Sequence, residues 1–120
     1  ILYRKDRNKR IQTKIKKIII KKNMAWCDDP NSKHYNKLIK LPSTFNYEKL
    51  HRKENVYDII LVLNYNMKPI IKHKGSAIFI HVARNNYKKT EGCVALKKTH
   101  FLKILKELNN NTIVKIETRK

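Results

Sequence analysis

The pattern of hydrophobic and polar positions predicts two neighbouring buried strands in the middle of the chain. Residues 57–66, YDIILVLNYN, form a dense aliphatic run with polar residues at both ends. Residues 76–83, SAIFIHVA, are apolar at both alternating sets of positions except at Ser76 and His81. A strand that is covered on both faces has this composition. We therefore expect the two strands to pair, with His81 near the end of the second.

The C-terminal part of the chain predicts one helix followed by one strand. Residues 99–108 carry an apolar stripe at helical spacing, and the asparagines at 109–111 stop it. Residues 112–117, TIVKIE, alternate as a strand does.

The N-terminal half is less regular. Residues 2–5 are expected to end a strand, and residues 11–22 alternate lysine with isoleucine as either an edge strand or an irregular basic segment. Residues 26–30, WCDDP, have turn chemistry. Residues 43–52 begin with hydroxyl side chains and an asparagine that can cap a helix, which predicts a short helical turn reaching Arg52.

The most specific chemical signal is a cysteine that follows a glycine shortly after the second buried strand. Gly92 leaves the backbone beside Cys93 open, so that amide groups can face a carbonyl oxygen as an oxyanion hole. A cysteine attacks only as the thiolate, and an imidazole can take its proton. His81 is the nearest histidine that precedes Cys93 in the sequence. For an isolated pair, a small buried cysteine and a hydrogen-bonded core histidine would be the ordinary interpretation.

The wider pattern changes that interpretation. GSAIFIH at residues 75–81, followed after a polar loop by TEGCVAL at residues 90–96, resembles the signature of the YkuD-type L,D-transpeptidase catalytic domain. In that family, a histidine on a strand precedes a Ser/Thr-x-Gly-Cys motif that carries the nucleophile. The resemblance covers nearly the whole chain, through further segments at residues 3–7, 26–30, 35–36, 57–58 and 65–66. Glu91 and Ala95 stand where many members have histidine and arginine, which leaves the role of that arginine unassigned.

The resemblance implies a β-rich α+β fold with curled mixed or antiparallel sheets and one main helix after the cysteine. It also implies a peptidoglycan L,D-transpeptidase of the cell envelope or periplasm, acting as a monomer on stem peptides without a metal or organic cofactor. Cys93 would be the nucleophile, His81 the general base and Gly92 part of the oxyanion hole. The expected substrate-binding residues are Ser76, Thr90, Trp26, Asp28 and Tyr35. For Asp28 and Asp29 we favour anchoring of the loop over contact with a substrate amine.

Two alternatives stay open. Water could resolve the same acyl-enzyme, which would make the protein an L,D-carboxypeptidase or endopeptidase. The formal net charge of +20, from 29 Lys and Arg against 9 Asp and Glu, could instead belong to a non-catalytic basic module that binds nucleic acid or a wall polymer. Lysine is spread along the whole chain beside abundant isoleucine and asparagine, as AT-rich coding produces, and no nucleic-acid-binding motif is present. We therefore expect no specific nucleic-acid partner.

Length and cysteine content set the remaining expectations. The 120 residues suit one domain, residues 1–120, and the apolar runs are too short to cross a membrane. Family domains usually have strands before the segment that matches residues 3–7, so we expect an N-terminally incomplete piece whose signal would lie upstream. A disulfide between Cys27 and Cys93 is disfavoured because it would block the nucleophile. A zinc site is disfavoured because the potential ligands lack close spacing.

Overall fold

A computed structural model describes residues 1–8, 10–83 and 94–117 of the protein. Within these ranges the elements in chain order are β1 (Leu2–Tyr3), β2 (Ile18–Ile19), β3 (Met24–Cys27), β4 (Lys37–Lys40), β5 (Tyr47–Lys49), β6 (Ile59–Val62), β7 (Phe79–Val82), β8 (Val94–Leu96) and α1 (Lys98–Glu107).

Five of the strands form a mixed sheet in the order β2-β1-β6-β7-β8. The two predicted central strands, β6 and β7, pair antiparallel, with Ile60 opposite His81. At the two edges the pairing is parallel, between β1 and β2 and between β7 and β8. The expected pairing of two buried strands around His81 is therefore confirmed.

The other three strands form an antiparallel sheet in the order β4-β3-β5. Its central strand β3 is buried along its whole length, whereas β4 and β5 are largely exposed and rich in lysine. Trp26 of β3 stands opposite Leu38 of β4 and Glu48 of β5.

Two hydrophobic clusters cover the two faces of the five-stranded sheet. On one face, side chains such as Ile60 and Phe79 pack with Trp26 and Leu50 of the three-stranded sheet region. On the other face, side chains such as Ile59, Ile80 and Val82 pack against Phe101 and Leu105 of α1. The five-stranded sheet is thus the middle of three layers, which explains why β6 and β7 are apolar on both faces.

The turn predicted at residues 26–30 was wrong at its start, since Trp26 and Cys27 belong to β3. Two further local predictions were wrong. Residues 43–52 contain strand β5 and no helical turn, because the Ser43 hydroxyl bonds the Phe45 amide in a local turn and the chain then pairs with β3. Residues 112–117 are exposed and form no strand, since no neighbouring strand pairs with them among the described residues. In residues 11–22, only Ile18–Ile19 forms an edge strand and the remainder is irregular.

The helix prediction is confirmed with a shift of one residue, and the β-rich α+β class is confirmed. Among the residues that the structure describes, no helix has the length and apolar character needed to cross a membrane.

Candidate active site

The candidate active site is built around His81 in the middle of the five-stranded sheet. Strand β7 places it between Ile60 of β6 and Ala95 of β8. Only 7% of the residue is exposed. Because strand side chains alternate, His81 lies on the same face as Phe79, which packs toward the three-stranded sheet. A buried histidine in this position can act as a base only if one of its ring nitrogens has a lone pair available to take a proton.

One of the two imidazole nitrogens has a defined partner. His81 Nδ1 lies 2.9 Å from the backbone oxygen of Val82, the next residue. A carbonyl oxygen can only accept a hydrogen bond, so Nδ1 carries the proton in this contact. In the neutral ring, Nε2 then holds the lone pair. The ring is therefore set up to accept a proton at Nε2.

The imidazole also contacts an aromatic ring that precedes β6. Tyr57 lies edge-on to His81, with ring centroids 5.8 Å apart and ring planes at 81°. The Tyr57 hydroxyl donates to Glu48 Oε2 at 2.7 Å. The Arg52 guanidinium lies over the Tyr57 ring, 4.6 Å from its centroid. A carboxylate and a cation thus lie one side chain away from the imidazole.

The chain returns to His81 directly after the predicted nucleophile. Strand β8 begins at Val94, the residue that follows Cys93 in the sequence, and Val94 pairs with Ile80. Neighbouring strands in a sheet lie about 4.8 Å apart. Cys93, Gly92 and Thr90 themselves lie outside the described residues.

Ser76, another predicted substrate contact, lies in a loop whose backbone has unusual conformations on both sides of it. Gly75 has a φ of 118°, and a Cβ atom there would lie 3.0 Å from the Tyr65 ring. Ala77 has a φ of 54°, a conformation that non-glycine residues seldom adopt. Its amide donates to Asn36 Oδ1 at 3.2 Å, and this bond helps to hold the conformation.

Asn36, which lies just before β4, bonds to this loop from outside it and is almost completely buried. Its Oδ1 also accepts the indole N–H of Trp26 at 3.0 Å. Its Nδ2 donates to the backbone oxygen of Asn66 at 2.8 Å and approaches that of Tyr65 at 3.3 Å. One side chain therefore ties β3 to the loop that leads into β7.

Trp26 and Tyr35, both predicted to contact substrate, are buried in the structure. The Trp26 ring packs edge-on against Phe79, with centroids 5.2 Å apart. The Tyr35 hydroxyl accepts a hydrogen bond from the Gly75 amide at 3.3 Å, so Tyr35 contacts the residue that precedes Ser76. These contacts support the loop and the core, and a substrate role for either ring stays a prediction.

The two adjacent aspartates have different surroundings. Asp29 accepts the Asn31 amide at Oδ1 and the Asn46 amide at Oδ2, both at 3.0 Å, and these bonds lower its pKa. The anchoring interpretation is therefore confirmed for Asp29. Asp28 Oδ1 is buried without a hydrogen-bond partner among the described residues. Burial, and secondarily the charge of Glu48, raise the pKa of Asp28.

Comparison with known proteins now decides the family. The family model for the L,D-transpeptidase catalytic domain, YkuD, matches residues 3–116. The chain belongs to this family. A search of curated proteins and a search of solved structures each gave no match. Members of this family are acyltransferase or peptidase-type enzymes of peptidoglycan.

In this L,D-transpeptidase domain, sequence reasoning passed over Glu48 and Val82, gave Asn36 no more than a lining or packing role, and noticed Tyr57 only as part of a family segment. Their contacts join positions that are far apart in the chain, such as Glu48 with Tyr57, so no local motif reveals them. The second cysteine, Cys27, is a buried free thiol.

A groove of about 720 Å³ lies elsewhere, between the end of β6 and residues 108–116. It is lined by residues such as Leu63, Ile78 and Ile113, and His81 does not line it. We therefore place the candidate site at His81 and not at this groove.

Proposed function

We propose that this domain is a peptidoglycan L,D-transpeptidase that uses Cys93 as the nucleophile and His81 as the general base. The Cys93 thiolate attacks the carbonyl carbon of the diaminopimelate residue that precedes a terminal D-alanine. The new carbon–sulfur bond first gives a tetrahedral oxyanion, whose collapse breaks the bond to the D-alanine nitrogen, and that nitrogen takes a proton as D-alanine leaves. A side-chain amine of another stem peptide then attacks the thioester, loses its proton and releases the thiol.

The observation that carries the proposal is the parallel pairing of β7 with β8. It brings the residue after Cys93 opposite Ile80, the immediate neighbour of His81. In the sequence, residues 83–93 lie between these two parallel strands, and Cys93 is the last of them. This strand pairing supports a site in which the Cys93 thiol and the His81 imidazole lie close together at the start of β8.

The protonation of His81 supports the same roles. With Nδ1 bonded to the Val82 oxygen, Nε2 is the nitrogen that would take the Cys93 proton. The imidazolium formed would stabilise the thiolate. The same nitrogen would return a proton to the leaving D-alanine amine. Backbone amides at Gly92 and Cys93 would stabilise the tetrahedral oxyanion.

We further propose that the substrate lies near Ser76, Thr90 and Asp28, and that the protein acts in the periplasm or at the cell envelope as a monomeric single domain. A positively charged domain would be attracted to anionic wall polymers. The two outcomes of the thioester, transfer to an amine and hydrolysis, use the same nucleophile and differ only in the acceptor.

The test is to incubate the protein with a synthetic stem tetrapeptide that ends in D-alanine, with and without a second stem peptide as amine donor. We expect D-alanine release and a cross-linked dimer in wild type, and neither in Cys93→Ala. His81→Ala should slow D-alanine release by about 10²-fold or more. D-alanine release with hydrolysis alone, even with excess donor, would make the protein a carboxypeptidase. Undiminished release by Cys93→Ala would overturn the proposal.

A further inference from the structure

We propose that Tyr57 is a positioning residue for His81, and that Glu48 of the three-stranded sheet holds it in place. This inference rests on the proposed role of His81 as the base for Cys93. It assigns to the three-stranded sheet a part in the chemistry of the five-stranded sheet.

The first observation is that the His81 ring has two kinds of support. The Val82 oxygen fixes the position of Nδ1 through one hydrogen bond. A single bond at one ring atom does not by itself set the tilt of the imidazole. The perpendicular contact with Tyr57, at a centroid distance of 5.8 Å, restricts that tilt, since such aromatic pairs have a preferred geometry. The direction of Nε2 thus depends on Tyr57.

The second observation is that Tyr57 is itself fixed at several points. Its ring packs edge-on against Phe79, with centroids 6.0 Å apart, and its hydroxyl donates to Glu48. Arg52 lies over the ring and is held in turn by a bond from its Nε to the Lys49 oxygen at 2.7 Å. Only 7% of Tyr57 is exposed. A ring held at its edge, its face and its hydroxyl is a rigid support.

The third observation is that the hydroxyl bond crosses between the two sheets. Glu48 lies in β5, whereas Tyr57 lies two residues before β6 and is in the cluster that joins the sheets. The 2.7 Å distance is normal for a hydroxyl that donates to a carboxylate, and charge-assisted bonds of this kind are stronger than bonds between neutral groups. Core packing alone would be satisfied by a phenylalanine at position 57. The bond from the hydroxyl to Glu48 therefore does more than fill the core, because it holds the Tyr57 ring in one orientation.

The test measures how fast Cys93 reacts with iodoacetamide as a function of pH, with peptide mapping to separate it from Cys27. If His81 is well placed, the thiolate forms at Cys93 well below the ordinary thiol pKa of about 8.5. In Tyr57→Leu, we expect the Cys93 rate at neutral pH to fall by about tenfold, because a misplaced imidazole takes the proton poorly. At alkaline pH, where the thiolate forms without help, the two rates should converge.

Tyr57→Phe keeps the ring and removes the hydroxyl with its bond to Glu48, so we expect a smaller fall of about threefold at neutral pH. Glu48→Gln keeps an acceptor oxygen and should restore most of the rate that Glu48→Ala loses. Tyr47→Phe is the matched control, because Tyr47 is 40% exposed in the same strand β5 and should not change the profile.

Cys27 reports on unfolding in the same experiment, since only 1% of it is exposed. Slow labelling of Cys27 together with an altered Cys93 profile would support positioning. A Cys93 profile unchanged in both Tyr57→Leu and Tyr57→Phe, or equal losses in Tyr57→Phe and Tyr47→Phe, would overturn it. So would a fall in Tyr57→Leu that comes only with fast Cys27 labelling while Tyr57→Phe is unchanged. If Cys93 of the wild-type protein forms its thiolate only near the ordinary thiol pKa of about 8.5, the proposed function fails instead.

Discussion

The two sheets bury their strands in different ways, and this difference governs what each contributes. The central strands of the five-stranded sheet, β6 and β7, lie between two layers and are buried almost throughout. In the three-stranded sheet only β3 is buried, and its two neighbours carry exposed lysines. The first sheet is a rigid platform that holds His81. The second is a cover that reaches the platform through Trp26, Glu48 and the loop bound by Asn36.

The largest loss of stability is expected from removing the side chain at which the two sheets pack together. Phe79 is fully buried and contacts both Trp26 and Tyr57. We expect Phe79→Ala to lower the free energy of unfolding by about 3–5 kcal/mol, through lost burial and the cavity left behind. Urea denaturation measures it. Phe45→Ala is the control, because Phe45 is 42% exposed and should change stability by no more than about 0.5 kcal/mol. Equal losses would contradict the packing described above.

A smaller loss is expected from cutting the polar link between the sheets. In Asn36→Ala, the indole N–H of Trp26 and the amide of Ala77 lose their shared acceptor in a buried place. Each unsatisfied buried donor costs about 1–3 kcal/mol. Alanine also fits poorly at the φ of 57° that Asn36 adopts. We expect a loss of about 2–4 kcal/mol in thermal or urea unfolding.

Asn111→Ala is the control for that experiment, because Asn111 is exposed and, within the part of the chain that the structure describes, only its backbone amide is hydrogen-bonded. It should leave stability nearly unchanged. Asn36→Asp keeps an acceptor but places a buried carboxylate against the carbonyl oxygens of Tyr65 and Asn66, so it should be at least as destabilised as Asn36→Ala. An Asn36→Ala protein as stable as wild type would show that the loop is held by packing alone.

The smallest expected effects have opposite signs at two neighbouring residues. The pKa of Asp28 is raised by burial, so its charged form is disfavoured in the folded state. Asp28→Asn should therefore stabilise the protein at neutral pH, and the gain should shrink as acid protonates Asp28 in wild type. The pKa of Asp29 is lowered by its bonds from Asn46 and Asn31. Asp29→Asn should destabilise at neutral pH, and the loss should shrink as the pH falls through that lowered pKa. Urea unfolding midpoints from neutral to acidic pH measure the stability change of each variant. Changes of the same sign in Asp28→Asn and Asp29→Asn at neutral pH would contradict the two pKa directions.

The sequence predicted the five-stranded platform better than its cover, for a physical reason. Strands β6 and β7 are covered on both faces, and continuous aliphatic runs reveal such burial without knowledge of the neighbours. Helix α1 was also predicted from local pattern, because its apolar stripe, which contains the buried Phe101 and Leu105, repeats at helical spacing. Strand β5 is short and polar, so nothing local separates it from a capped turn.

Alternation alone was misleading in residues 112–117. Those residues alternate as strands do, but pairing requires a neighbouring strand, and the sequence cannot say whether one is there. For the site, the motif identified His81 and Cys93, whereas Tyr57, Glu48 and the Val82 oxygen act through contacts between distant segments or through the backbone. Such partners become visible only when the fold is known.

The central claim is that Cys93 forms the acyl-enzyme. The most direct measurement is the intact mass of the protein after incubation with a carbapenem, followed by peptide mapping of the adduct in wild type, Cys93→Ala and Cys27→Ala. We predict one adduct on Cys93 in wild type and in Cys27→Ala, because Cys27 is buried in β3 and cannot react without unfolding. No adduct should form in Cys93→Ala. An adduct that persists in Cys93→Ala, or that maps to Cys27, would contradict the claim.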